Sequence, residues 1–520
     1  MADETQYPTG AAKWILVLTC LSCAVMELID STIVNVSLRE ISGNIGAGVT
    51  EIGWVSTAYG IGNVIIIPLS GMLANLIGRK RYFTGSVFVF TLASLLCGFS
   101  SGLWGLVIWR FIQGLAGGGL LSTAMSIVLG AFPPEQAKSG FLVFALGIML
   151  GPIFGPVLGG YITDTLSWHW IFFVNVPLGI IGGLLSWKYI TDLEGAVKPP
   201  KIDWAGIAFI AMALGSLQYV LEEGSIHDWF DSIEIRIFFA ISIFSFIAFI
   251  WRELTTDYPA VDLKLYKNFN LVLGNLIGLM YGIMANGTLF IFPLLAQVSL
   301  GWTATQTGEF LISGGIASAI GMILVKKLFP GTNVKILMIT GLILVIISLL
   351  PMGFVSPDST GDQFFWPFIL RNIGVAFIAP NMIGIAVGTL RGKDLAQATG
   401  LSTMTRQLGG AIGVAIISIY TTKSDAFVRH HLAGSITEFS IATQERISLF
   451  TQTFKGIGYA DDQATQAAYK MLEMILIKQQ TLISYNHGFL SFACLFILCI
   501  PVILLIKTPE NKQEPPVDAH

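Results

Sequence analysis

The chain has 520 residues, of which 54% are hydrophobic and 12% charged, with a net charge of −3. An average soluble domain is about one-quarter charged, so the composition excludes a soluble globular protein and indicates an all-α polytopic membrane protein. No basic domain is present, and nucleic acid is not an expected partner.

The polar lead Met1–Lys13 lacks a basic start followed by a short apolar core and a cleavage site, so the first apolar run is expected to be a retained spanning helix. That run, about 14–36, contains Glu27 and Asp30. A carboxylate in hydrocarbon costs on the order of 3 kcal/mol even on lenient insertion scales, and residues three apart share a helix face. Acids kept in such a place line a water-filled pathway and bind a cation or a proton, which points to transport. A span needs about 20 apolar residues. Further runs of that kind follow at roughly 53–74, 81–101, 104–130, 139–163, 170–190, 203–222, 235–252, 270–293, 306–327, 334–353, 364–389, 397–422 and 485–507, about fourteen helices in all.

Basic residues set the orientation. Arg79, Lys80 and Arg81, then Lys188, Lys198 and Lys201, Arg252, Lys264 and Lys267, Lys326, Lys327 and Lys335, Arg391 and Lys393, and Lys507 and Lys512 all fall on one side if both termini are cytoplasmic. The opposite loops are poor in Lys and Arg, and one, Glu222–Glu234, is strongly acidic. A long extracytoplasmic segment, 424–484, contains an amphipathic stretch, Asp462–Leu482. It fits either a helical cap over the outer mouth or a docking surface for a partner. The five cysteines, Cys20, Cys23, Cys97, Cys494 and Cys499, lie in apolar runs and read as small hydrophobes. No metal-ligand set accompanies them.

Three Gly-rich patterns occur in order. Gly71-Met72-Leu73-Ala74-Asn75-Leu76-Ile77-Gly78-Arg79-Lys80-Arg81 closes the second helix. Arg110-Phe111-Ile112-Gln113-Gly114, continuing to Gly119, places a cation in the fourth span, with Gly114 and Gly118 as a close-packing face. In the fifth span Gly147, Gly151, Gly155 and Gly159 recur every fourth residue as a flat strip, and Pro152 and Pro156 remove backbone donors. Each alone fits simple helix packing.

Together they resemble the signature motifs of the major facilitator superfamily, the third being similar to the pattern of its antiporters. The helix count, Leu28–Val36, Trp168–Pro177 and Thr405-Arg406-Gln407-Leu408-Gly409-Gly410 resemble the fourteen-helix drug/proton antiporters of the EmrB/QacA type, most of all EmrB. Asn75 stands where the family usually has an Asp, so the latch at that turn is expected to rest on hydrogen bonds. The resemblance covers about 14–507. It implies two six-helix bundles with two inserted helices between them: 1–190, an inserted pair with its linker at 191–265, and 266–520. The Asp192–Asp203 stretch with Pro199-Pro200 reads as linker. Arg371-Asn372-Ile373-Gly374 faintly echoes the Arg110 pattern. Substrate is expected near the midplane, with the bundles rocking around it.

Asp30 is the expected proton-coupling acid, with Glu27 sharing or relaying the proton and Arg110 tuning the site. Desolvation opposes ionisation of Asp30 and a neighbouring guanidinium favours it. The alternative for Asp30 is a structural partner of a buried arginine. Asn35, Asn63, Gln113, Asn286 and Gln297 are candidate cavity residues, although each also fits an interhelical hydrogen bond. Tyr59, Tyr281 and Phe290 are candidate aromatic lining. Glu309 is either a mouth acid or a first-turn partner of its helix dipole. Arg371 reads as structural, and Arg406 as a partnered cavity charge. The conformational set is Gly71, Asn75, Gly78, Arg79, Lys80, Gly114, Gly147, Gly151, Pro152, Gly155, Pro156 and Gly159.

The leading expectation is a proton-driven exporter of lipophilic or amphipathic compounds in a bacterial inner membrane, not an enzyme, with no cofactor. No nucleotide-binding loop is present to drive it by ATP. A dedicated metabolite carrier and a non-transporting receptor or scaffold are the alternatives. A respiratory proton-channelling subunit would need mid-span lysines, which are lacking. EmrB-type pumps work with a periplasmic adaptor and an outer-membrane channel, so both are candidate partners beside substrate, protons and lipid.

Overall fold

In a computed structural model of the protein, the described residues are 8, 10–48, 51–133, 137–148, 150–191, 201–329, 331–357, 359–388, 390, 392–437 and 440–506. The expected linker at Pro199-Pro200 and the basic residues Lys198, Arg391, Lys507 and Lys512 lie outside them, as do the side chains of Pro152, Lys326 and Lys393.

The described chain is built from helices: α1 (Gly10–Ile45), α2 (Trp54–Ile77), α3 (Arg79–Gly98), α4 (Leu103–Gly130), α5 (Ala137–Ile148), α6 (Leu150–Thr165), α7 (Trp170–Phe173), α8 (Asn175–Tyr189), α9 (Trp204–Glu223), α10 (Ile233–Thr255), α11 (Phe269–Leu294), α12 (Ala304–Leu328), α13 (Val334–Met352), α14 (Gly361–Val387), α15 (Gly392–Ser435), α16 (Ile441–Gly456), α17 (Asp461–Ile497) and α18 (Cys499–Leu504). Among the described residues thirteen helical stretches are long and apolar enough to cross a membrane, with α7–α8 and α17–α18 each counting once. The expected fifth span is represented by α5 and α6, on either side of residue 149.

Local chemistry explains the ends. Gly78 takes φ 94°, a conformation costly for any residue with a Cβ, and so turns α2 sharply into α3. Asp203, Asn268 and Asn333 accept bonds from the first backbone N–H groups of α9, α11 and α13. Thr303 and Gln306 form a capping box on α12. This start puts Glu309 in the second turn, not the first, so the dipole explanation for it falls away because that effect fades within one turn.

Helices α1–α8 pack as one bundle and α11–α15, α17 and α18 as a second, with the α9–α10 pair laid against α2 and α15. The start of α1 and the end of α18 lie at one end of the described residues, the termini end: Lys13 Nζ sits 3.8 Å from the Phe132 ring, and Lys335 Nζ donates to the Leu504 carbonyl at 3.0 Å. At this termini end the bundles share one apolar core that joins Leu16, Met125 and Phe144 to Leu271, Ala386 and Leu395. In the far half, Asn35, Asn286, Phe290 and Gln297 remain exposed. The conformation is closed at the termini end.

The 424–484 segment does not lie as a cap. It prolongs α15 and α17 beyond the apolar runs, and α16 packs on α17 with no buried residue of its own. Polar residues such as Arg429 and Glu473, bonded at 3.1 Å, let both helices continue outside hydrocarbon.

Candidate functional site

Two carboxylates three residues apart on α1 enter different networks. Asp30 is fully buried, as are Arg110 and Gln113 of α4. Arg110 Nη1 donates to Asp30 Oδ2 at 2.6 Å, while Gln113 Nε2 and Asn175 Nδ2 donate to Asp30 Oδ1 at 3.0 and 2.6 Å. Arg110 also donates to the Gln113 side chain at 2.8 Å and to the Val55 carbonyl at 3.3 Å, and its guanidinium lies 4.0 Å from the Tyr59 ring centre. Asn175 additionally reaches Ser94 Oγ at 3.1 Å. A buried pair withstands its desolvation only when the remaining lone pairs and protons find partners, and both oxygens of Asp30 do.

Glu27 is 4% exposed. Its Oε1 accepts from Tyr59 Oη at 3.1 Å and Asn63 Nδ2 at 2.8 Å, whereas Oε2 is buried and has no hydrogen-bond partner among the described residues. Asn63 Oδ1 in turn accepts from Gln407 Nε2 of α15 at 2.7 Å. Glu27 therefore stands at the contact between the bundles, with Gly117 of α4 against its stem.

The glycine patterns make these approaches possible. A Cβ at Gly114 would strike the Tyr59 carbonyl and one at Gly118 the Asn63 carbonyl, so α4 meets α2 backbone to backbone just where Tyr59 and Asn63 are presented. Gly147, Gly151, Gly155 and Gly159 sit on Leu21, Leu28, Thr32 and Ile33, so the strip of α5–α6, with Pro156 inside α6, supports the helix that carries both acids. Gly71 lies on the backbone of Ala396 and Gln397, where the bundles meet. Arg79 Nη1 reaches the Ser126 carbonyl at 3.5 Å and Lys80 lies over the Trp187 ring at 4.8 Å. Asn75 is half-buried and makes no side-chain hydrogen bond among the described residues, so the expected hydrogen-bonded latch there is not seen.

The expected cavity residues divide between buried networks, half-buried positions and the exposed far half. Gln113 is enclosed in the Asp30 network because both ends of its amide are used by Arg110 and Asp30. Tyr59 and Asn63 are buried against Glu27. Asn35, Asn286, Phe290, Gln297 and Glu309 are exposed in the far half, where Asn35 accepts from Ser56 Oγ at 2.7 Å. Tyr281 and Arg406 are half-buried. The guanidinium of Arg406 has no hydrogen bond or ion pair among the described residues, so its expected partner is lacking. Arg406 lines a small cavity between the bundles with Leu121, Met125, Phe144, Gly278 and Met382. Arg371 binds Thr288 Oγ1 at 2.6 Å and the Ala285 carbonyl at 3.1 Å.

Asn175 and Gln407 were not singled out from the sequence, although both sit inside motifs that were. Their signal was an amide within a patterned helix start and beside a membrane arginine. No group of three His, Cys, Asp or Glu side chains is placed to hold a metal among the described residues.

The sequence profile of the Major Facilitator Superfamily matches residues 20–414. The fatty acid resistance protein FarB of Neisseria gonorrhoeae is 30% identical over 97% of this chain and 98% of its own length. The multidrug export protein EmrB of Escherichia coli K12 is 31% identical over the same shares, and the colistin resistance protein EmrB of Acinetobacter baumannii 28% identical over 98% and 99%. The crystal structure of the human organic anion transporter MFSD10 aligns over 94% of this chain and 99% of its own, with a TM-score of 0.62 at 13% identity, a likeness of fold alone.

Proposed function

The chain belongs to the Major Facilitator Superfamily, with EmrB-type relatives along nearly its whole length, and from that premise we propose that it exports lipophilic or amphipathic compounds in exchange for protons by alternating access. The observation that carries the proton is the unpartnered Glu27 Oε2 at the contact between the bundles. A buried carboxylate oxygen without a donor is costly when charged and is relieved by a proton. Asp30, with three donors, is paired with Arg110 and fixes α1, α4 and α8 around it. This division of labour gives Glu27 the coupled proton and makes Asp30 a positioning acid.

The basic loops support a cytoplasmic termini end, and in that orientation the conformation described is outward-facing. A proton carried from outside to inside gains about 2.3 kcal/mol per 100 mV of membrane potential. Protonated Glu27 no longer attracts a cationic or polar cargo, which leaves outward; the bundles then rock, and Glu27 loses its proton inside. The relatives' names, covering fatty acids, drugs and colistin, support an amphipathic range of cargo. The projecting α15–α16–α17 ends, with Ile441 and Leu449 exposed, suit a periplasmic adaptor leading to an outer-membrane channel. A second reading, a carrier dedicated to one acidic amphiphile, is favoured by Arg371 and Arg406, neither of which has a carboxylate within ion-pair distance among the described residues.

The test is substrate-induced proton release in proteoliposomes under an imposed inward proton gradient, read with a pH-sensitive dye. The panel is lipophilic cations, neutral amphiphiles and fatty acids, run on wild type, Glu27→Gln and Asp30→Asn. Gradient dissipation by several classes in wild type, abolished in Glu27→Gln, is the expected result. A response to fatty acids alone supports the dedicated carrier, and no response to any compound sinks proton coupling.

A further inference from the structure

Helix α15 runs from the termini end outward and α2 runs the other way, and they touch in a stripe. Gly71 lies on Ala396 and Gln397, Gly400 faces the Ile67 carbonyl, and Gln407 bonds Asn63. Of these three contacts, the last lies farthest from the termini end. Gly409 and Gly413 press α15 onto Leu279 and Ile283 of α11, which fixes the face of α15 that Gln407 presents. Opening the termini end requires this stripe to part.

A primary amide has a donor end and an acceptor end. Asn63 uses its donor on Glu27 and its acceptor on Gln407. Ionised Glu27 makes the first bond charge-assisted, roughly twice as strong as a neutral one. The free Oε2 can take a proton without breaking the chain of bonds, but Oε1 then becomes a neutral acceptor. Among the described residues, the charged or titratable groups facing Glu27 are Asp30 on its own helix, Tyr59 on α2 and Arg406 on α15; Arg110 on α4 is bound to Asp30. Protonation therefore also removes an attraction between α1 and α15.

We propose that Gln407 is a positioning residue that carries the protonation state of Glu27 across the bundle contact: while Glu27 is ionised, the Gln407–Asn63–Glu27 chain holds α15 on α2 and keeps the termini end closed. A proton on Glu27 weakens the chain and lets that end open. This rests on the proton-coupled reading above and adds the part that turns a proton into a movement.

The experiment measures spin-label distances between Ile77→Cys on α2 and Leu328→Cys on α12, both exposed at the termini end, in the full chain with its native cysteines replaced, reconstituted in nanodiscs from pH 5 to 9. In this background the open fraction rises as pH falls. Gln407→Ala raises the open-to-closed ratio about three- to tenfold at high pH, the worth of one lost hydrogen bond, and flattens the profile. Gln407→Asn, too short to reach Asn63, acts in the same direction should the alanine variant fold poorly. The exchange Asn63→Gln with Gln407→Asn keeps the combined reach and restores the profile. An unchanged pH profile in Gln407→Ala, or an exchange variant that behaves like it, overturns the relay. If Glu27→Gln loses pH dependence and proton release while Gln407→Ala keeps both, the relay alone fails; if Glu27→Gln keeps both, proton coupling at Glu27 fails with it.

Discussion

Glu27 and Asp30 lie one turn apart on α1, both buried, yet among the described residues Asp30 has donors on both oxygens and Glu27 has none on Oε2. Two acids that look equivalent along the helix thus sit in different surroundings.

Asp30→Asn leaves the Arg110 guanidinium buried without its carboxylate. We expect destabilisation of about 3–5 kcal/mol. The double change Asp30→Asn with Arg110→Gln removes both charges and should recover much of it. Thermal unfolding of purified protein in detergent checks this; a single variant as stable as wild type would show that the pair does not hold the bundle.

Glu27→Gln keeps an acceptor for Tyr59 and Asn63 and replaces the unpartnered oxygen with an amide nitrogen. Stability should change by no more than about 2 kcal/mol, since two neutral bonds replace two charge-assisted ones while the cost of burying the charge is removed. Proton release should fall to background. Full retention of proton release in a well-folded Glu27→Gln protein would assign the proton to another group.

Asn175 holds Asp30 from α8. Asn175→Ala removes a hydrogen bond to a charged group, worth roughly 1.5–3 kcal/mol. Ser94→Ala spares that charged bond and removes two neutral ones, from Asn175 and to the Phe172 carbonyl at 2.9 Å, each worth about 0.5–1.5 kcal/mol, whereas Asn175→Ala loses the Ser94 bond as well as the charged one and is expected to be the less stable. The order of the two unfolding temperatures is the test, and the reverse order would mean that Asp30 draws little from Asn175.

Gly114→Ala inserts a methyl against the Tyr59 carbonyl, which belongs to backbone and cannot swing away. Overpacking of this kind costs about 1–3 kcal/mol, and it displaces Tyr59 from Glu27. Reduced proton release together with lower stability is expected, whereas Gly85→Ala, with open space around it, should be silent. Equal behaviour of the two would remove the close α2–α4 approach as a functional requirement.

Replacing α16 by a short linker should leave proteoliposome transport intact, because α16 has no fully buried residue among the described residues and packs on α17. If the projecting helices receive an adaptor, cells carrying the shortened protein lose resistance to exported compounds. Resistance equal to wild type would place the partner surface elsewhere.

Much of the site was legible along the chain because charge in hydrocarbon is conspicuous. Glu27, Asp30 and Arg110 stand out against apolar neighbours, and the glycine spacing marks the helix faces that come close. Asn175 and Gln407 did not stand out, because an amide in a membrane helix costs far less than a charge and gives no sign of which way it points. The Asp462–Leu482 stretch of the 424–484 segment was legible as amphipathic, but its place in the fold depended on α15 and α17 continuing past the apolar runs.

By itself, then, the sequence determined the membrane-spanning, all-helical character, the family, and the helices that hold buried charge, since these follow from local composition, spacing and the price of burial. Only the tertiary structure decided that Asp30 meets three donors while Glu27 keeps an oxygen free, and that Asn63 reaches Gln407, 344 positions away. Those contacts depend on how α1, α2, α4, α8 and α15 are placed against one another, and no local property of any one helix specifies its neighbours.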